Sequence, residues 1–190
     1  MVIVFISILS LAIPINSTFA HERTKASVSV IFINNAKTTY DDELTNKISN
    51  WMNGKVEGLY NINPNTQPLT KLKALGFEDI AIIEKKDLVE AFADNHTDYI
   101  VYAGLQPFAR KEKIHVFTYG KDMTATMMLK IVDVPNNKYL YNGKFIIKGS
   151  DSSSEWLIGN KSVALIAIDS ILIEMGEVIS FRLPLQPPNK

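Results

Sequence analysis

The sequence predicts an α/β (α+β) fold: a single-domain sandwich with one mixed sheet, helices packed on it, and the order β-α-β-α-β-β-β-α. Three observations predict it. Apolar runs rich in β-branched residues, at 28–33 and 98–105, alternate with helical stripes in the front half, as a wound sheet requires. Long segments of alternating character, joined by turn residues, fill the back half as a meander would. The length of 190 residues, 46% hydrophobic and 21% charged, suits one domain with its own core.

The elements follow in order. Val28-Ser29-Val30-Ile31-Phe32-Ile33 reads as a strand buried on both faces, ended by the turn pair Asn34-Asn35. Thr39-Tyr40-Asp41-Asp42 resembles a capping box, with an acidic first turn that suits the helix dipole. Leu44, Ile48, Trp51 and Met52 recur at helical spacing, and Gly54 supplies a stop. Residues 59–68, with Asn61, Asn63, Pro64, Asn65 and Pro68, form an irregular surface excursion. A short helix over 69–75 closes at Gly76, and residues 77–83 read as a second strand. Leu88, Ala91 and Phe92 mark another helix that stops near Asn95.

Residues 98–105 are apolar on both faces, as a central strand is. Segments 114–119, 123–133 and 138–148 then predict three long strands, with hairpin turns at Gly120-Lys121 and Pro135-Asn136-Asn137. In the last of them Tyr139, Tyr141, Phe145 and Ile147 share one face, and Asn142, Lys144 and Lys148 the other. One face is therefore covered and one wet. Residues 149–154 read as a flexible polar loop. A long helix from Asn160 turns Val163, Ile166, Ala167, Ile171 and Val178 inward and Lys161, Asp169, Glu174 and Glu177 outward.

The opening residues carry an address. Residues 2–13 are apolar apart from Ser7 and Ser10, Pro14 ends the run, and Thr18 and Ala20 give the small-x-small pattern read by signal peptidase. Cleavage after Ala20 leaves a mature chain beginning at His21. No basic residue precedes the apolar run, which departs from the usual leader. The run is too short to span a bilayer, so the mature chain has no expected membrane span. The domain plan is a leader over 1–20, one α/β domain over 21–183 and a loose tail over 184–190, where Pro184, Pro187 and Pro188 stop any helix.

Composition narrows the function. The 20 Lys+Arg equal the 20 Asp+Glu, which argues against a dedicated nucleic-acid binder. With no Cys there is no disulfide, thiolate metal site or cysteine nucleophile. His21, His96 and His115 have no i, i+4 pair for zinc, and no Gly-x-Ser-x-Gly elbow, dinucleotide fingerprint or P-loop is present. No cofactor or metal is expected. Asp41-Asp42-Glu43 is explained by the helix dipole before catalysis need be invoked. A dispersed hydrolase site built from Asp41, Asp42, His96 or His115 is the enzymatic alternative.

One segment mixes the residue types that anchor interfaces. Phe108, Arg110, Lys111, Lys113, His115, Phe117 and Tyr119 place aromatics among basic groups, a combination suited to protein or acidic-polymer partners. Ordinary strand alternation, aromatics in and charges out, is the structural explanation of the same pattern.

The succession Phe32-Ile33-Asn34-Asn35, Ile80-Ala81-Ile82-Ile83-Glu84, Asp98-Tyr99-Ile100-Val101-Tyr102-Ala103-Gly104 and Leu129-Lys130-Ile131-Val132-Asp133-Val134, with a closing helix, resembles a known group. It is similar to the periplasmic α/β domain of the curli-secretion lipoprotein, the TolB amino-terminal domain and the lipoprotein activators of penicillin-binding proteins. The resemblance implies an exported, non-enzymatic binding or assembly protein of the bacterial envelope, engaging a protein or polymer and in some relatives forming a homo-oligomeric ring. Two departures stand out: this chain lacks the lipidated Cys, and its turns leave no room for membrane-crossing hairpins.

Overall fold

The computed structural model describes residues 25–77, 83–114, 119–153 and 159–188. β1 (Ser27–Asn34) pairs in parallel with β2 (Asn61–Ile62) on one side and β3 (Tyr99–Leu105) on the other. β3 is buried along its whole length, which is why its sequence is apolar on both faces. β5 (Tyr119–Asp133) runs antiparallel to β3 through residues 127–133, and to β4 (Ala109–Ile114) through residues 119–124. β3 and β4 thus lie end to end along one edge of β5. Pro107, which has no N–H to donate to a ladder, sits in the break between them. β6 (Lys138–Ser153) lines the other edge of β5 from end to end.

Three strands follow β3, as the sequence predicted, but two boundaries shift. The strand expected at 114–119 lies at Ala109–Ile114, and Gly120 and Lys121 are ladder positions of β5 opposite Lys113 and Glu112. The loop expected at 149–154 is ladder as far as Ser153, with Gly149 opposite Met123. In both places long-range pairing overrides a local turn signal. Residues 115–118 and 154–158 lie outside the described residues, as do residues 78–82 of the strand expected at 77–83.

α1 (Asp41–Val56) and α4 (Asn160–Arg182) cover one face of the sheet. Leu44, Ile48 and Met52 of α1 and Ala167, Ile168, Ile171 and Met175 of α4 meet Val30, Val101, Leu129 and Phe145 there. Fully burying one such aliphatic side chain is worth about 1.5–3 kcal/mol. The first turn of α1 is not closed by Thr39. Instead the Thr38 N–H and hydroxyl donate to Asp41 Oδ1 at 2.9 and 2.7 Å, because the chain tightens one residue earlier. Gly54 does not stop α1. The helix runs on to Val56, and the left-handed residue is Gly58, at φ 76°. In α4, Ile166 is 46% exposed rather than inward: the buried face is set by Val163, Ala164, Ala167, Ile168 and Ile171.

α2 (Thr66–Ala74) and α3 (Lys85–Phe92) cover only the front of the opposite face, where Leu72, Leu88 and Phe92 meet Ile31, Ile100, Tyr102 and Val132. α2 starts three residues before the expected Leu69, since Pro68 is accommodated in a first turn. Gly76, at φ 82°, ends it: its N–H reaches the Lys73 carbonyl and that of Phe77 the Leu72 carbonyl, a Schellman closure. At α3 the Asp87 carboxylate accepts the Glu84 N–H at 3.0 Å.

A register shift in the β5–β6 ladder leaves Leu140 as an extra residue between Tyr141, opposite Ile131, and Tyr139, opposite Val132. Tyr139 therefore packs toward α3 and Tyr141 toward α4, on opposite faces, where alternation alone put them on one. Residues 142–148 alternate as the sequence predicts.

Candidate functional site: an open lysine-lined sheet face

Pairing across β4, β5 and β6 sorts the predicted surface residues onto two faces. Phe108 and Tyr119 lie on the α4 side, packed with Met123, Val163 and Ala164, and Tyr119 is buried. Arg110 is on that side too, opposite Met123, and forms an ion pair with Glu112. The Tyr119 hydroxyl holds the Glu112 carboxyl below its usual range, with Arg110 adding to the effect. Burial, more than its neighbours, pushes the Tyr119 hydroxyl up. Lys111 and Lys113 point to the other face. His115 and Phe117 lie outside the described residues. Of the two described aromatics Tyr119 is buried and Phe108 partly so, and the described cations divide between the two faces.

The other face is where the helices stop short. The cluster under α2 and α3 reaches along β5 as far as Met128, and beyond it the ladder lines up Ile146 opposite Thr126 and Lys148 opposite Thr124, with Lys144 opposite Met128 at the border. Lys111 faces Asp122, which in turn faces Ser150; Lys113 and Ser152 flank Gly120. Lys111, Lys144 and Lys148 are exposed, and Ile146 is 56% exposed among them. Asp122 is the acid of this strip. It is buried, with Lys113 Nζ at 2.8 Å and Lys148 Nζ at 3.6 Å. Hydrogen bonds from Lys113 and then Ser150 hold its carboxyl below the ordinary carboxylate range.

At the α3 border the face dips into a cleft of about 420 Å³ lined by Glu84, Lys85, Lys86, Lys130, Tyr139 and Asn142. Lys130 is only 4% exposed and donates to the Ile83 carbonyl. Lys85 Nζ stands 5.9 Å above the Tyr139 ring. The Tyr139 hydroxyl is raised by burial first and by Glu84 and Asp87 second. From Lys113 at one end to Lys85 and Lys86 at the other, cations dominate one side of a chain whose total charge is zero.

Of the enzymatic alternative, the described residues His96 and Asp41 do not meet. Ser27 Oγ donates to the His96 carbonyl at the start of β1, and Asn34 Nδ2 donates to the Asp41 carbonyl at its end. Seven strand steps, about 23 Å, separate those two points. A larger cleft of about 740 Å³ lies beside Asp41, lined by Thr38, Tyr40, Glu43, Asn160 and Lys161. Of its acids, Asp41 holds the Thr38 turn, Glu43 pairs with Lys161, and Asp42 lines the cleft beside them. Burial, then Asp41, raises the Tyr40 hydroxyl. Among the described residues no three His, Asp or Glu side chains are grouped to hold a metal ion.

The lysine face was half legible. Alternation in β6 exposed Lys144 and Lys148, but nothing local places Lys111 and Lys113 on the same side of the same sheet. That needs the β4–β5 register.

No protein-family model and no curated protein matches the sequence. Solved structures match it in fold. Protein CT253 from Chlamydia trachomatis superposes with a TM-score of 0.52 at 12% identity, over 84% of this chain and 98% of that one. A homolog of the neuraminyllactose-binding hemagglutinin from Helicobacter pylori gives 0.51 at 11% identity, over 82% of this chain and 83% of that one. Lipoprotein GNA1162 from Neisseria meningitidis gives 0.42 at 14% identity, over 80% of this chain and 99% of that one. At these identities the likeness is one of fold.

Proposed function

We propose that this chain is an exported, non-enzymatic binding or assembly module of the bacterial envelope. It docks an acidic partner, protein or polymer, on the open face of β4, β5 and β6. The observation that carries the reading is the segregation of Lys111, Lys113, Lys144 and Lys148 on an uncovered sheet face while Asp122 is buried beneath them. Cations concentrated on one flat surface steer an anionic partner and make its binding salt-dependent. Export rests on the opening twenty residues and on the lipoproteins among the fold neighbours. The separation of His96 from Asp41 weighs against the hydrolase alternative.

Affinity capture from envelope extracts tests it, with the native chain and a Lys144→Glu/Lys148→Glu variant side by side. Sialyllactose is included as a small acidic probe. The expected result is a reproducible partner that the variant and 0.5 M salt both release. A partner retained equally by the variant moves the site elsewhere, and no partner at all removes the proposal.

A further inference from the structure

The end of the fold opposite the Asp41 loop carries an apolar and basic surface that the lysine face does not explain. β1 begins there, at Ser27, and α1 and α4 both end there. Two hydrogen bonds tie the close of α4 to that end of the sheet: Tyr60 Oη donates to the Leu183 carbonyl at 3.1 Å, and Tyr99 Oη to the Gln186 carbonyl at 2.9 Å. Around this anchored segment Phe181 is 81% exposed, Leu185 60% and Leu59 52%. The Arg182 guanidinium lies 5.2 Å from the Phe181 ring centre, Lys25 Nζ donates to the Gly58 carbonyl beside Leu59, and Lys55 closes the last turn of α1. Glu57 is an exposed acid of the same end, and the Asp98 carboxylate is engaged by Ser27.

We infer that this end rests on an anionic phospholipid surface, with Phe181 and Leu185 entering the headgroup boundary and Lys25, Lys55 and Arg182 meeting lipid phosphates. Exposed aromatic and aliphatic tips ringed by long basic side chains are the composition of an interfacial contact. The position of the chain's start supports that occupant over a second copy or a protein. The described fold begins at Lys25, on this surface, and the apolar run 2–13 precedes it by eleven residues, a reach of at most about 40 Å. A retained run and this surface would therefore meet the same bilayer, and after cleavage the surface remains as the contact. The inference stands whether or not the lysine face has a partner.

The absence of Cys makes the test clean, because a single introduced thiol carries the only label. Leu185→Cys is labelled with an environment-sensitive nitrobenzoxadiazole dye in the full chain, and Leu75→Cys, 62% exposed at the close of α2, serves as control. Vesicles of phosphatidylglycerol and phosphatidylcholine are then added, with intact mass reporting which residues the recovered chain retains. The expected result is a brighter, blue-shifted Leu185→Cys label and an unchanged Leu75→Cys label. Adding Arg182→Gln weakens partitioning about fivefold, as loss of one basic group near an anionic surface does. Adding Phe181→Ser abolishes the blue shift. Equal responses at both sites, no response at Leu185→Cys, or a response to protein concentration without lipid overturns the inference, the last in favour of a second copy.

Discussion

Gly149 of β6 lies against the backbone of α4 at Ala167: a β-carbon at Gly149 would stand 2.9 Å from the Ala167 nitrogen, and nearer still to the Val163 carbonyl oxygen. The helix sits this low on the sheet only because residue 149 has no side chain. Gly149→Ala must lift α4 or bend β6. Overpacking of this kind costs about 1–3 kcal/mol, so the urea midpoint is expected to fall by that equivalent with an unchanged slope. A variant as stable as the native chain shows that α4 does not pack here.

Burial distinguishes two apolar residues of similar size. Leu88 is fully buried between α3 and the sheet, whereas Ile173 is 68% exposed on α4. Leu88→Ala is expected to lose about 2–5 kcal/mol, and Ile173→Ser to stay within about 0.5 kcal/mol of the native chain. Denaturant unfolding of both variants checks the assignment of the buried face of α3 and the exposed face of α4.

The Tyr99 hydroxyl is pushed up to about 12 by burial first, and then by Asp133, Asp98 and Tyr60. The unfolded chain releases that proton near pH 10, while the folded chain keeps it. Stability from this group is therefore complete below pH 10 and is lost as pH rises through about 12. Tyr99→Phe is expected to flatten the alkaline loss measured by thermal melts between those limits. It also gives up the hydrogen bond to Gln186, at a cost of about 1 kcal/mol at neutral pH.

Asp122 works in the opposite direction. Its carboxyl is held low by Lys113 and Ser150, with Lys148 adding charge, so the stability it contributes is present at neutral pH and lost as pH falls below the ordinary carboxylate range. Asp122→Asn is expected to remove that part of the acid sensitivity. It also leaves Lys113 and Lys148 without this counter-charge. Capture of an acidic partner is then expected to strengthen at low salt, and titration of binding against salt reads the change.

The front of the fold was legible because its signals are local. The β-branched run of β1, the Leu44–Ile48–Met52 stripe and the doubly apolar β3 each declare their own state. The back half was legible in kind but not in register. Gly120 next to Lys121, and Gly149 before four polar residues, look like turns in isolation; they are strand because β5 and β6 pair over their full lengths. Leu140 hides a change of face that no two-residue period reveals, since one extra residue reverses every side chain before it. Two aromatics of the candidate surface are placed by the same kind of long-range contact. Phe108 and Tyr119 are fixed by packing against α4, a helix some forty residues further along the chain. The cations were visible; their assembly on one face was not.

β5 is fifteen residues long and spans about 50 Å, yet β3 accompanies it only from Met127 to Asp133. Its remaining length, with β4 and β6 alongside, is a three-stranded beam beyond the reach of β3, covered on one face by the first turns of α4 at Tyr119, Met123 and Gly149. Asp133 pairs with Tyr99 at the end where the chain enters, so the beam points away from that end. A partner docked there, as proposed, would be kept at a fixed stand-off from that end by the ladder itself, with no linker needed to set the distance.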